Sequence, residues 1–144
     1  MGICETKAIE LIEHAIKARE KAYSPYSKYK VGAALLSADG QVITGCNVEN
    51  ASYGVTNCAE RTAFFKAVSE GITEFQAIAI VGGNAGDDDN TSFPDYAFPC
   101  GVCRQVMKEF CENDFEIIVA KSVNEYQSFL LADLLPYGFG GKLS

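Results

Sequence analysis

Two cysteine blocks, Cys58-Ala59-Glu60 and Pro99-Cys100-Gly101-Val102-Cys103, start their cysteines 42 residues apart. If both serve one metal, the fold must bring distant parts of the chain to a single point. Three thiolates leave a tetrahedral zinc one position short, and that position is open to water. Glu60, two residues from the first thiolate, is placed to move the protons of that water. A zinc bound only for structure more often takes a fourth protein ligand. The pattern therefore points to metal-assisted hydrolysis.

Alone, the Cys100/Cys103 pair also fits a thioredoxin-like dithiol, but no βαβ start precedes it. A zinc ribbon needs a second CxxC, and Cys58 has no cysteine partner at that spacing. The charge of the site is a further constraint. Three thiolates and Zn²⁺ sum to about −1, and an added hydroxide makes about −2, so the metal needs compensation to stay acidic. Arg61 follows Glu60 and Arg104 follows Cys103, and each is expected to donate toward thiolate sulfur.

Apolar periodicity from Ala8 to Ala18 predicts a helix over Glu5–Ala22, ended by Ser24-Pro25. Val31–Leu36 and Gln41–Cys46 read as strands joined at Ala38-Asp39-Gly40, a hairpin signal. Asn47–Asn57 is loop-like. Ala59–Glu70 reads as a helix stopped by Gly71, and Ala77–Val81 as a buried strand. A long Gly/Asp/Asn/Pro-rich connection covers Gly82–Pro99. A helix over Gly101–Glu112, a strand over Phe115–Ala120 and a short amphipathic helix over Ser128–Leu135 complete the order. The expectation is an α/β fold: a three-layer α/β/α sandwich on a mixed sheet of about five strands, formed by residues 1–144 as a single domain. Both cysteine blocks then fall at helix N-termini, whose free N–H groups favour thiolate.

The net charge is −7, with no Lys/Arg run, which argues against a nucleic acid polymer as substrate. No apolar run approaches the roughly 18 residues of a membrane span. The N-terminus has no basic patch followed by an apolar signal core, so a cytoplasmic setting is expected. Cys4, Cys46 and Cys111 lack metal-type spacing and read as small buried apolar residues. His14, the only histidine, reads as structural, and Asp87-Asp88-Asp89-Asn90 as a solvated loop.

Cys58-Ala59-Glu60-Arg61-Thr62 and Pro99-Cys100-Gly101-Val102-Cys103-Arg104-Gln105 together resemble the signature of the small zinc-dependent cytidine deaminases. Tyr26–Leu35, Asn47–Tyr53 and Leu134–Phe139 resemble further segments of that family, so the similarity runs from about Ser24 to Phe139. The resemblance implies one Zn²⁺ per subunit on Cys58, Cys100 and Cys103, with Glu60 as proton shuttle. It implies that Asn47 and Glu49 hold the sugar hydroxyls, that the Ala59 N–H meets the pyrimidine carbonyl, and that Tyr29 lines the pocket. Phe139, Ala51 and Tyr53 would reach a neighbouring subunit's site, which implies a homotetramer with shared active sites. The implied reaction is hydrolytic deamination of cytidine and 2′-deoxycytidine, a step of pyrimidine salvage. Two positions depart from the pattern: Tyr29 stands where Phe is usual, and Phe98 where a small residue is common. Blasticidin S, another aminopyrimidine, is a rival substrate on the same fold; Asn47 and Glu49 favour a nucleoside. A non-catalytic zinc module is the rival from another class, and Glu60 beside an open position argues against it.

Overall fold

The structure is a computed structural model, and it describes residues 2–86 and 91–143. Five strands form one mixed sheet: β1 (Tyr29–Ser37), β2 (Val42–Cys46), β3 (Phe75–Asn84), β4 (Glu116–Ser122) and β5 (Glu125–Leu130). Their spatial order is β2-β1-β3-β4-β5. Only the central β3/β4 pair is parallel; the other neighbours are antiparallel.

Strand alternation divides the core between two faces. Ala34 and Leu36 of β1, with Ala77, Ala79 and Val81 of β3, pack against Leu11, Ile12 and Ala15 of helix α1 (Glu5–Arg19). Ala33 and Leu35, with Ile78, Ile80, Ile117 and Val119, face the opposite way. They pack against Ala63, Phe64 and Ala67 of α2 (Ala59–Ser69) and Met107 of α3 (Gly101–Phe110). Helices thus cover both faces, as expected of the three-layer sandwich. Among the described residues no helix is long and apolar enough to cross a membrane.

One close approach sets the position of the site. A Cβ on Gly45 of β2 would lie 2.5 Å from both the Ala59 carbonyl oxygen and the Ala63 nitrogen. Only glycine lets the first turns of α2 rest directly on the sheet there.

Three expectations need correction. Ser128–Leu135 is not one helix: its first residues belong to edge strand β5, and only Leu131–Leu134 form a single helical turn, α4. Phe129, Leu130, Leu131, Leu134 and Leu135 mimic helical spacing, but the ladder that pairs Ile117 with Phe129 and Glu116 with Leu130 wins. Helix α1 stops at Arg19 rather than Ala22, because Lys21 and Ala22 donate to Ala18 and Arg19 in tight three-residue turns. Cys4 is exposed at the start of α1 instead of buried, whereas Cys111 is buried and Cys46 half-buried. His14 is exposed on α1. The acidic run 87–90 lies outside the described residues.

Candidate active site

Cys58 is the N-cap of α2, and Cys100 is the N-cap of α3. Both helices begin over the same face of the sheet, so the 42-residue separation closes to a few ångströms. The sulfurs of Cys58 and Cys100 are 3.7 Å apart, and those of Cys100 and Cys103 are 3.4 Å apart. All three lie within 4.8 Å of one another. Zinc with bonds of about 2.3 Å in a tetrahedron needs sulfurs roughly 3.8 Å apart, so the donor set fits it. The Cys103 N–H also donates to the Cys100 sulfur at 3.4 Å, fixing the turn that carries the pair.

Electrostatics divides the thiols. The Cys58 thiol is pulled down to about 5, first by its hydrogen bond with Cys103 and then by Arg61. Cys103 moves up, because it holds the proton in that pair and is buried. Arg61 Nη2 donates to the Cys58 sulfur at 3.3 Å, the contact expected from the sequence. Its Nε is buried and unpartnered among the described residues. Arg104 does not mirror this arrangement. Its Nε donates to the Pro99 carbonyl at 2.8 Å and its Nη1 to the Leu134 carbonyl at 2.7 Å. Arg104 therefore fastens the residue before Cys100 to α4 and leaves the sulfurs to Arg61.

Glu60 is only 4% exposed. Burial pushes its carboxyl up to about 7, and the Cys58 charge adds to the rise. An acid–base group of that strength exchanges protons in both directions near neutral pH. It faces a cavity of about 380 Å³ that also reaches Cys58, Cys100, Ala59, Asn47 and Tyr29. That volume lies in the range of small-molecule sites.

The residues expected to bind substrate separate into groups. Asn47 lies in the cavity wall, buried, with Oδ1 accepting from the Val31 N–H and Nδ2 donating to the Tyr29 carbonyl, each at 2.9 Å. Glu49 lies in an adjoining depression with Tyr26, Asn50 and Tyr53; Thr56 borders both spaces. The Glu49 carboxylate accepts from the Tyr26 and Ser27 N–H groups and the Ser27 hydroxyl, which holds it below the usual carboxylate range. Ala51 and Tyr53 are exposed, and Phe139 is 87% exposed. None of these three lines the metal cavity of its own chain. The sequence reading missed Tyr96 and Ala97, which complete the wall beside Phe98. They sit in an irregular segment with no periodicity, and only their place just before Pro99-Cys100 marks them.

Comparison with known proteins agrees with this geometry. A family model described as the cytidine and deoxycytidylate deaminase zinc-binding region matches residues 5–119. A cytidine deaminase of Halalkalibacterium halodurans is 51% identical over 129 residues, covering 90% of this chain and 91% of that protein. One from Sporosarcina psychrophila is 47% identical over 130 residues, covering 90% and 89%. The solved structure of a cytidine deaminase from Burkholderia pseudomallei aligns with TM-score 0.79 at 49% identity, covering 90% of this chain and 97% of that one. Three thiolates at zinc spacing, a buried carboxyl beside them, and likeness along almost the full length place the chain in the zinc-binding cytidine and deoxycytidylate deaminase family.

Proposed function

We propose that the chain catalyses hydrolytic deamination of cytidine and 2′-deoxycytidine, giving uridine or 2′-deoxyuridine and ammonia, in cytoplasmic pyrimidine salvage. The observation that carries this reading is Glu60: a carboxyl only 4% exposed, lining the same cavity as Cys58 and Cys100 beside three convergent cysteine sulfurs. Cys58, Cys100 and Cys103 would hold a zinc ion, which would lower the pKa of water from about 15.7 toward about 7 and so supply a nucleophile at neutral pH.

The chain's own groups then do the proton work. Glu60 accepts a proton from the attacking water and delivers it to N3 of cytosine, which leaves C4 electron-poor. Once the water oxygen has bonded to C4, Glu60 carries that oxygen's remaining proton to the exocyclic amino group; the C4–N bond breaks, ammonia leaves and the C4 carbonyl forms. A single buried carboxyl lining the cavity can serve both transfers in turn. Arg61 keeps Cys58 as thiolate. The Ala59 N–H, at the first turn of α2, offers a donor for the pyrimidine carbonyl. Asn47 and Glu49 recognise sugar hydroxyls, Asn47 from inside the cavity and Glu49 from its rim.

The site is shared within a homotetramer in this proposal. Support comes from Tyr53 at 83% and Phe139 at 87% exposure, aromatic rings with little cover from their own chain. The test is loss of cytidine absorbance with ammonia release from zinc-loaded protein, run beside deoxycytidine and other aminopyrimidines such as blasticidin S. Unchanged substrates across that panel would overturn the assignment.

A further inference from the structure

The segment that delivers Pro99 and Cys100 to the metal carries three aromatic rings, and each ring is fastened to a different element. Phe93, 3% exposed, lies under the Arg19 guanidinium at the end of α1, with 4.4 Å from Cζ to the ring centroid. Arg19 is itself 3% exposed and is held by the carbonyls of Lys30, Gly83 and Asn84, at the ends of β1 and β3. The Phe93 N–H donates to the Lys121 carbonyl at 2.8 Å, and the Lys121 ammonium lies 4.8 Å from the Tyr96 ring centroid. Phe98 meets Phe129 of β5 at 5.5 Å between centroids.

Between these fastenings lies the inner wall of the cavity: Tyr96, Ala97 and Phe98. Ala97 is seated closely. A Cβ on Gly82 would come within 2.9 Å of both the Ala97 Cβ and the Tyr29 ring, so no side chain fits between wall and sheet. Pro99 is tied separately by Arg104. The metal ligand and the wall preceding it are thus held by different side chains.

We propose that Arg19, Phe93 and Lys121 are positioning residues for substrate: they hold the 93–98 wall at the distance a nucleoside requires. This rests on the assignment of the cavity to a nucleoside. Cation–aromatic contacts of this kind add to the Phe93–Lys121 backbone bond in fixing a short segment that is itself neither strand nor helix. A wall that touches the body of the substrate binds ground state and transition state alike. Loosening it therefore raises KM and leaves kcat in place.

The test uses zinc-loaded enzyme carrying Phe93→Leu, which keeps the position apolar, and Lys121→Met, which removes a half-buried cation with little disturbance to the core. Each is expected to raise KM for cytidine about five- to tenfold, with kcat within about twofold and bound zinc equal to wild type. Glu125→Gln removes the 3.7 Å ion pair of Lys121 while leaving the ammonium over Tyr96, and it should behave as wild type. Exchange of the residue 93 amide hydrogen, which is bonded to the Lys121 carbonyl at 2.8 Å, is the second readout, and it should quicken in Phe93→Leu. KM within twofold of wild type in both variants, or a parallel fall in kcat and zinc content, overturns the proposal. If wild-type enzyme leaves cytidine unchanged, the nucleoside assignment fails on its own. Exchange then decides the fastening, and unchanged protection in Phe93→Leu would sink it.

Discussion

Exchanging Glu60 for Gln should make the metal-free protein more stable while removing most of its activity. Burial raises the Glu60 carboxyl from its ordinary 4.5 to about 7. At about 1.36 kcal/mol for each tenfold change in proton affinity, keeping that group ionised costs the fold about 3 kcal/mol. The sign follows from the folded state binding the proton more tightly. The stability of wild type is fully present below pH 4.5, falls as pH rises, and has lost the whole amount above pH 7. Gln carries no titrating proton and escapes this loss. The assay is urea denaturation of both proteins, stripped of metal and kept reduced, at pH 5.5 and pH 8.5. The variant should be the more stable at both, and its lead should widen by about 2 kcal/mol between them. Cys58 is common to both proteins, so the difference belongs to Glu60 and its coupling to that thiol. In the zinc-loaded state the same exchange should lower kcat by roughly 10²- to 10⁴-fold with zinc retained. A lead that stays constant to within about 0.5 kcal/mol across the two pH values would refute the argument from burial.

Arg61→Gln should raise the Cys58 thiol from about 5 in the metal-free protein, seen as an upward shift in the pH profile of alkylation. It should also weaken zinc about 10- to 100-fold against a competing chelator. Gly45→Ala drives a Cβ into the Ala59 and Ala63 backbone, and should cost about 2–4 kcal/mol in denaturant melts. Co-assembly of Glu60→Gln with Phe139→Ala subunits should give more activity than the average of the two parents, since a shared site can take Glu60 from one chain and Phe139 from another. Activity no higher than that average would mean that each chain completes its own site.

Elements carried by strong local signals were legible in the sequence. Cys58 and Cys100 announce two helix starts because each precedes a helical run and is itself the N-cap. The β1/β2 hairpin follows from Ala38-Asp39-Gly40, and Gly40 adopts the positive φ of 94° that its turn needs. β5 was not legible because an edge strand with one half-covered face has no clean alternation: Tyr126 and Phe129 are half-buried while Gln127 and Ser128 are exposed. The two arginines show how sequence neighbours mislead on a helix. Arg61 lies three residues after the N-cap Cys58 and returns to its sulfur. Arg104 lies one residue after Cys103, and adjacent helical positions do not share a face. Its partner Leu134 lies thirty residues away, beyond the reach of local pattern. Asn47 and Glu49 were read as one pair, but backbone bonds turn them toward two adjoining spaces.

The placement of the thiolates on either side of β3 also orders events during synthesis. β3 is flanked by β1 and β4, so the central parallel pair cannot close until residues 116–122 have left the ribosome. A nascent chain that has emerged only through β3 offers Cys58 and neither of the other two ligands. The apolar core around Phe64, Ile80 and Ile117 likewise closes only when β4 supplies Ile117. The three-sulfur site is therefore complete only after residue 103 has emerged, and the sheet beneath it only after residue 122.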